Sequence, residues 1–220
     1  MIVIINYGMG NVQSVKNALE ALNENAIISD DKELIAKSKA IIIPGVGAFG
    51  DAMRRIKEKD LLNILHTEAT EKKKPILGIC LGMQLLATKS FEHGEHQGFG
   101  WVDATIERIQ PNDSQCKIPH MGWNNLIIKD QSILFKDFDL NLENCAYFVH
   151  SFAMKLSKDE TKAVLTSTVD HGGEVTASVR KGNVFGTQFH PEKSQNVGLK
   201  ILQNFIQYIK EQQREENSKE

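Results

Sequence analysis

Three short stretches hold residue types that could do nucleophilic chemistry. The first is GICLG, Gly78 to Gly82, where a cysteine stands between two glycines at the end of an apolar run. This is the nucleophile-elbow pattern, G-x-Nu-x-G, with Cys80 in the nucleophile's place. A sharp strand-to-helix turn brings together the residues two before and two after the nucleophile, and glycine at both removes side chains that would collide. Such a turn lifts Cys80 above the sheet edge and beside a helix N-terminus, whose partial positive charge favours thiolate over thiol. The backbone amide of Leu81 lies close by as an oxyanion donor. Read alone, the pattern also suits a buried cysteine in an ordinary βα turn, so a nucleophile at Cys80 needs a base elsewhere.

QFHPEKS offers one. On a strand, His190 and Glu192 point the same way. Glu192 could then orient the imidazole and His190 could face the thiol, the logic of nucleophile, base and orienting acid. Pro191 lacks a ladder donor and suits a strand end, where the sites of parallel α/β sheets collect. A histidine and a glutamate at a solvated strand terminus explain the same residues equally well. The third stretch is PGVG, Pro44 to Gly47, after another apolar run. Its glycines free the backbone to turn amides inward, as an oxyanion hole requires; a plain turn is the alternative.

The elements that must position these groups read as alternating strands and helices. Met1 to Ile5, Ala40 to Gly45 and PILGIC are apolar runs without alternation. Between them, Val12 to Leu22 and Asp51 to Thr70 carry apolar residues at helical spacing, and a further helix is predicted from Leu81 to about Thr88. Buried strands joined by amphipathic helices indicate an α/β fold with a mostly parallel sheet flanked by helices. From Phe99 to about Phe152, short β-like pieces alternate with turns and predict added antiparallel hairpins. NVFGTQFHPEKS reads as a late strand and Val197 to Ile209 as a C-terminal helix. The organisation expected is one domain over residues 1–210 and a polar, disordered tail over 211–220.

Composition narrows the function classes. The 220 residues are 41% hydrophobic and 25% charged with a net charge of −2, so no basic field points to nucleic acid. Lys72 to Lys74 reads as a solvated helix end. No apolar stretch approaches the ~20 residues of a membrane span, and MIVIINYG reads as a strand rather than a signal peptide. Three scattered cysteines form neither a disulfide framework nor a CxxC pair, which predicts free thiols and a cytoplasmic location. His93, Glu95 and His96 lie close in sequence but offer too few ligands for a metal site, and no metal or cofactor is expected. GMGN after the first run lacks the third glycine of a dinucleotide fingerprint.

Together the pieces resemble the class I, or triad, glutamine amidotransferases: a PG-rich loop, then G-x-C-x-G-x-Q, then H-P-E near the C-terminus. NYGMGN, IIIPGVGAFGDAM, GICLGMQLL, KIPHMGWN, YFVHSF and GNVFGTQFHPEKS look most like the glutaminase subunits of imidazole glycerol phosphate synthases, and span residue 6 to about 205. The resemblance implies a class I amidotransferase fold with a flavodoxin-like core. It implies that Cys80 attacks the glutamine side-chain amide, that His190 moves the proton and that Glu192 orients His190. It places oxyanion donors on the backbone of Gly45, Val46, Gly47 and Leu81, and glutamine binding on Gly47, Gln84, Ser151 and Phe152. Cys80 and Gln84, four apart, share a helical face, so both can reach one ligand. The implied partner is a β/α-barrel cyclase or synthase subunit in a heterodimer, with Tyr7, His120, Met121, Trp123, Tyr147 and Lys193 at the interface or ammonia exit. One stretch departs from the subfamily: EHGEHQGFGWVDA, Glu92 to Ala104, looks more like a paralogous branch that supplies ammonia for surface-sugar amidation. A stand-alone cysteine hydrolase and a catalytically silent binding module are the readings from other classes; Gln84 argues against the first and the intact Cys80, His190 and Glu192 set against the second.

Overall fold

The apolar runs become the inner strands of a covered sheet. In the computed structural model, which describes residues 1–218, the chain opens with β1 (Ile2–Ile5), α1 (Val12–Ala21), β2 (Ala26–Ser29) and α2 (Lys32–Lys37), then β3 (Ala40–Gly45), α3 (Phe49–Glu58), α4 (Leu62–His66) and β4 (Ile76–Cys80). The short α5 (Leu81–Gln84) leads into β5 (Ala87–Ser90), β6 (His96–Gln97) and β7 (Val102–Arg108). The middle of the chain forms β8 (His120–Asn125), β9 (Ile127–Ile128), β10 (Cys145–His150) and β11 (Phe152–Leu156). After α6 (Lys158–Val164) come β12 (Leu165–Asp170), β13 (Glu174–Lys181), β14 (Val184–Thr187) and α7 (Gln195–Asn217).

Eight strands form the main sheet in the order β2-β1-β3-β4-β14-β13-β12-β9. The first five are mutually parallel, and their order is the 2-1-3-4-5 of a doubly wound sheet. β13, β12 and β9 extend it antiparallel. Helices cover both faces. Val15 and Leu19 of α1 and Leu202, Phe205 and Ile209 of α7 pack on Ile4, Ile42, Leu77 and Phe185. On the other side Met53 and Ile56 of α3 pack with Val3, Ile5, Ile41 and Ile43. Burial on both faces is why these strands show no polar alternation. Within the predicted span the strands pair antiparallel but not as hairpins: β8 pairs with β10 across the intervening β9, and β7 with β11 in a second sheet ordered β11-β7-β5-β6, while the hairpins that join consecutive strands are β12–β13 and β13–β14.

Several boundaries differ from the sequence reading, each for a packing reason. The helix predicted over Asp51 to Thr70 is broken at Asp60, which takes left-handed backbone with φ of 52°. Ile56 and Leu61 are both fully buried, and a spacing of five residues cannot keep them on one helical face. The break re-aims α4, and a π-helical turn, Thr67–Glu71, follows. The helix after Cys80 ends at Gln84, not Thr88. The backbone of Leu85 and Leu86 is instead taken by Phe99 and Trp101, whose amides donate to their carbonyls at 2.8 and 3.0 Å. The C-terminal helix begins at Gln195 and runs to Asn217, past the predicted end at Ile209. Residues 211–217, expected to be disordered, are therefore helical, and residues 219–220 of that expected tail lie outside the described residues.

Lys72 to Lys74 is not simply a solvated helix end. The Glu68 side chain is fully buried, with Lys72 Nζ at 2.7 Å and Lys74 Nζ at 2.6 Å from its two carboxylate oxygens. Lys74 also donates to the carbonyls of Ile35 and Ala36, both at 2.8 Å, and so ties α2 to the start of β4. Burial holds the Lys74 ammonium below its ordinary pKa, against the pull of Glu68. Removing the carboxylate leaves that cation without its counter-charge. Glu68→Gln is expected to lower unfolding stability by about 3 kcal/mol in urea titrations at neutral pH. A loss below about 0.5 kcal/mol, the size of a surface substitution, would show the pair to be ornamental.

Candidate active site

β4 ends in the elbow that its glycines predict. Cys80 is the last residue of the strand and adopts φ 54° and ψ −110°, a conformation that costs a non-glycine residue about 1–3 kcal/mol. A Cβ on Gly78 would lie 2.5 Å from the Gly82 carbonyl oxygen. One on Gly82 would fall inside the backbone carbonyl of Ile43 in β3. Both glycines are thus required by close backbone approach. The turn leaves Cys80 6% exposed, opening into a cavity of about 460 Å³. Val46, Gly47, Leu81, Gln84, Ser151 and Phe152 line that cavity with Cys80, as do Glu92, Pro119, Val149 and His150.

His190 and Glu192 come together, but not on a strand. β14 stops at Thr187, and Pro191–Lys193 form a 3-10 turn with proline at its start. The turn folds Glu192 back so that its Oε1 lies 2.8 Å from His190 Nδ1, both side chains almost fully buried. Ser194 holds the turn in place. Its hydroxyl donates to the His190 carbonyl at 2.6 Å and accepts from the Tyr147 amide at 3.0 Å, and the His190 amide donates to the Tyr147 carbonyl at 3.0 Å. With Nδ1 engaged by Glu192, His190 Nε2 is buried and has no hydrogen-bond partner within the chain. Burial opposes a charge on this ring, but the thiol of Cys80 and the carboxylate of Glu192 outweigh it, and its pKa is pushed up to about 9.

The PGVG loop ends β3 beside the elbow, with Gly45 in register with Cys80. A side chain at Gly45 would run into the Tyr7 hydroxyl and, at 2.9 Å, into Leu81 Cβ. Tyr7 is fully buried and donates to the Pro44 carbonyl at 2.8 Å, so it pins this loop from behind. That burial, and then the nearness of Cys80, drive its phenol pKa upward. Tyr7 is therefore buried behind the loop and is not part of an exposed face. Gly47 takes φ of 98° and is exposed with Val46 at the rim.

Gln84 does more than line the cavity. Its amide nitrogen donates to the Phe152 carbonyl at 2.9 Å and to Gln188 Oε1 at 3.0 Å, and Gln188 Nε2 lies 3.8 Å from Cys80 Sγ. Gln188, Ser194 and His150 were not singled out from sequence; only their places in the QFHPEKS and YFVHSF stretches hinted at them. Glu92, the first residue of the stretch that departs from the subfamily, accepts from the Phe49 amide at 2.7 Å and so caps α3, which has no side-chain cap of its own. Among the described residues no three His, Cys, Asp or Glu side chains converge to hold a metal; His96 packs on Gly50 instead.

The remaining interface candidates divide by face. Met121 and Trp123 point outward from β8, 62% and 50% exposed. Trp123 pairs with Tyr147 across the ladder, their rings edge to face at 6.0 Å, and exposed Lys193 places Nζ 5.7 Å from the Tyr147 ring. These four form one outer patch. His120 points the other way and is buried, which removes it from the exposed patch.

The family described as "Glutamine amidotransferase class-I" matches residues 3–208. The "Imidazole glycerol phosphate synthase subunit HisH 2" of Nitrobacter winogradskyi is 44% identical over 212 residues, covering 94% of this chain and 98% of that protein. The "Imidazole glycerol phosphate synthase subunit HisH" of a Geobacillus species is 45% identical, covering 95% and 97%. Among solved structures, one titled "Crystal structure of glutamine amidotransferase" superposes with a TM-score of 0.73 at 20% identity, covering 95% and 99% of the two chains. "Structure of PurLQS from Thermotoga maritima" gives 0.70 at 24%, covering 94% and 98%. These two share the fold; the sequence relatives carry the closer kinship. On this evidence the chain belongs to the class I glutamine amidotransferase family, within its branch of imidazole glycerol phosphate synthase HisH subunits.

Proposed function

We propose that this chain hydrolyses glutamine to glutamate and ammonia, and delivers the ammonia to a cyclase subunit that makes imidazole glycerol phosphate in histidine biosynthesis. The observation that carries the reading is the unpartnered, buried His190 Nε2, held by Glu192 and close to Cys80 at the floor of a cavity lined by Gln84. No helix among the described residues is long and apolar enough to cross a membrane, and all three thiols are free, which supports a reducing, cytoplasmic setting.

The reaction follows from the geometry. The Cys80 thiolate attacks the side-chain carbonyl carbon of glutamine, and the new oxyanion is held by backbone amides at Leu81 and the Gly45–Gly47 loop. His190 Nε2–H then protonates the amine as the C–N bond breaks, releasing ammonia and leaving a glutamyl thioester. His190, now neutral, takes a proton from water, which attacks the thioester; collapse returns the thiolate and glutamate. Gln188 Nε2 faces the sulfur at 3.8 Å. Gly47, Gln84, Ser151 and Phe152 form the glutamine pocket. The exposed patch of Met121, Trp123, Tyr147 and Lys193 supports a docking face for the cyclase subunit.

Cys80→Ala is expected to reduce glutaminase activity on the order of 10³-fold or more, because members of such a triad act as a unit. The complex bearing it should still form product from ammonium salt. Glutamate release near the wild-type rate would remove Cys80 from the mechanism.

The pH dependence has a definite sign. His190 titrates at about 9 in the fold against an ordinary 6.5, so it stabilises the fold fully below pH 6.5, and the contribution is lost as pH rises through 9. The imidazolium–thiolate pair is lost in the same window, so kcat/KM should fall on an alkaline limb near 9. In Glu192→Gln the carboxylate's support is gone, and the limb should move toward acid. An unmoved limb would show that Glu192 does not set the charge on His190.

The valine in PGVG leaves less freedom for the oxyanion peptide than a glycine pair would, so the hole is expected to assemble on partner signal. Glutamate release should be slow for the chain alone and rise when the partner holds a histidine-pathway ribonucleotide. Equal rates in the two conditions would reject gating. A rise with a nucleotide-activated sugar instead would assign the ammonia to the branch suggested by Glu92 to Ala104.

A further inference from the structure

We infer that His120 and His150 are positioning residues for glutamine, which hold the Phe152 carbonyl of the pocket through a one-way chain of hydrogen bonds starting on β8. The inference rests on the glutaminase reading above, and deepens it by naming what sets the pocket wall. The reaction steps use neither histidine.

Chemistry assigns every proton in the chain. The β8–β10 register sets His120 opposite His150. His150 Nδ1 lies 2.9 Å from the Phe152 carbonyl oxygen, which can only accept, so Nδ1 carries the hydrogen. In a neutral imidazole Nε2 is then bare and must accept. The atom 3.0 Å from it is His120 Nδ1, which therefore donates. That leaves His120 Nε2 bare, and Asn124 Nδ2 donates to it at 3.3 Å while giving its other hydrogen to the Asp170 carbonyl at 2.8 Å. One arrangement satisfies every polar atom, with all donors pointing from β8 toward the pocket.

The acceptor at the end of this chain is shared. The Phe152 carbonyl has two lone pairs; His150 takes one and Gln84 Nε2 the other. Gln84 continues to Gln188, and Gln188 to the sulfur of Cys80. The carbonyl thus stands where an imidazole chain from β8 meets an amide chain from the nucleophile. Two buried histidines are costly to a core unless fully satisfied, and these are. Protonating either would set two N–H groups face to face. Burial, and then neighbouring histidines, hold His120 at about 3 and His150 at about 4. The charged or titratable neighbours are His171, stacked on His120 at 4.0 Å, and His190 beyond His150.

The test compares two reagents on Cys80 of the full chain. Iodoacetamide needs only the thiol; a glutamine-shaped chloroketone also needs the pocket. His150→Phe keeps a ring but no nitrogen, and is expected to slow the chloroketone about tenfold, the worth of one buried hydrogen bond, with iodoacetamide changed by less than about threefold. His150→Asn keeps a donor where Nδ1 stood and should recover most of the rate. His120→Phe should slow the chloroketone about threefold to tenfold by freeing the His150 tautomer. A chloroketone rate in His150→Phe or His120→Phe equal to wild type, or no recovery in His150→Asn, overturns the inference. If wild type reacts with the chloroketone no faster than with iodoacetamide and glutamine gives no protection, the glutaminase reading itself falls and takes this one with it. Should the variants not fold, imidazole nitrogen chemical shifts of the wild-type chain decide: protons on Nδ1 of both rings are expected, and a proton on His150 Nε2 refutes the chain.

Discussion

At the end of β4 the chain turns through left-handed backbone at a cysteine, and the fold is arranged to hold it there. Cys80 at φ 54° is unfavourable by itself, and it persists only because surrounding contacts over-determine it. The contacts are backbone on backbone: Gly82 against the Ile43 carbonyl, Gly78 against Gly82, and Gly45 paired with Cys80 across the β3–β4 ladder. The approaches at Gly82 and Gly78 tolerate no Cβ without movement of main chain, and one at Gly45 would meet the Tyr7 hydroxyl and Leu81 Cβ. The central strands are therefore not interchangeable scaffolding. β3 must reach β4 at this register for the turn to form, and the same register delivers the PGVG loop to Cys80.

Around that turn the polar groups fall into two sets with different jobs. His190, Glu192 and the sulfur form a set with two buried vacancies, His190 Nε2 and Glu192 Oε2, and on the proposed mechanism the first is where the proton moves. In Gln84, Gln188, His150, His120 and Asn124, by contrast, every side-chain nitrogen has a hydrogen-bond partner. A satisfied network fixes geometry and an unsatisfied atom invites chemistry. On the proposed mechanism, the contrast separates groups that react from groups that hold.

What could be read from sequence follows the same division. Cys80, His190, Glu192 and Gln84 announce themselves because short-range spacing and a family pattern constrain them. Even so, spacing points to the wrong local cause for one pair: His190 and Glu192 meet through a 3-10 turn that opens on Pro191, not through strand alternation. Groups that act across the fold left little trace. Gln188 meets Gln84 across 104 positions, and Glu92 caps a helix 43 residues earlier. The helix after Cys80 was over-extended because Leu85 and Leu86 are apolar in either geometry, and only the Phe99 to Trp101 backbone decides between them. Tyr7 illustrates a different limit: its place in a motif shared with relatives does not say which way its side chain points.

The β8–β10 ribbon connects these observations to assembly. Alternation along β8 puts Met121 and Trp123 on the outer face and His120 and Asn124 on the inner one. The outer face pairs Trp123 with Tyr147, and Tyr147 in turn accepts from the His190 amide through its carbonyl. The inner face begins the hydrogen-bond chain that ends at the Phe152 carbonyl. On the proposed reading, a subunit seated on the outer patch would therefore touch one strand pair that bears on both His190 and the Phe152 carbonyl. A two-stranded ribbon has few ladder bonds to resist a small rotation, and a change of a few tenths of an ångström at its inner face acts on bonds whose strength depends steeply on distance and angle. The cost of holding two buried histidines in one tautomeric order is understandable on these terms: apolar residues would fill the same space, but could not transmit the position of β8 to an acceptor in the pocket.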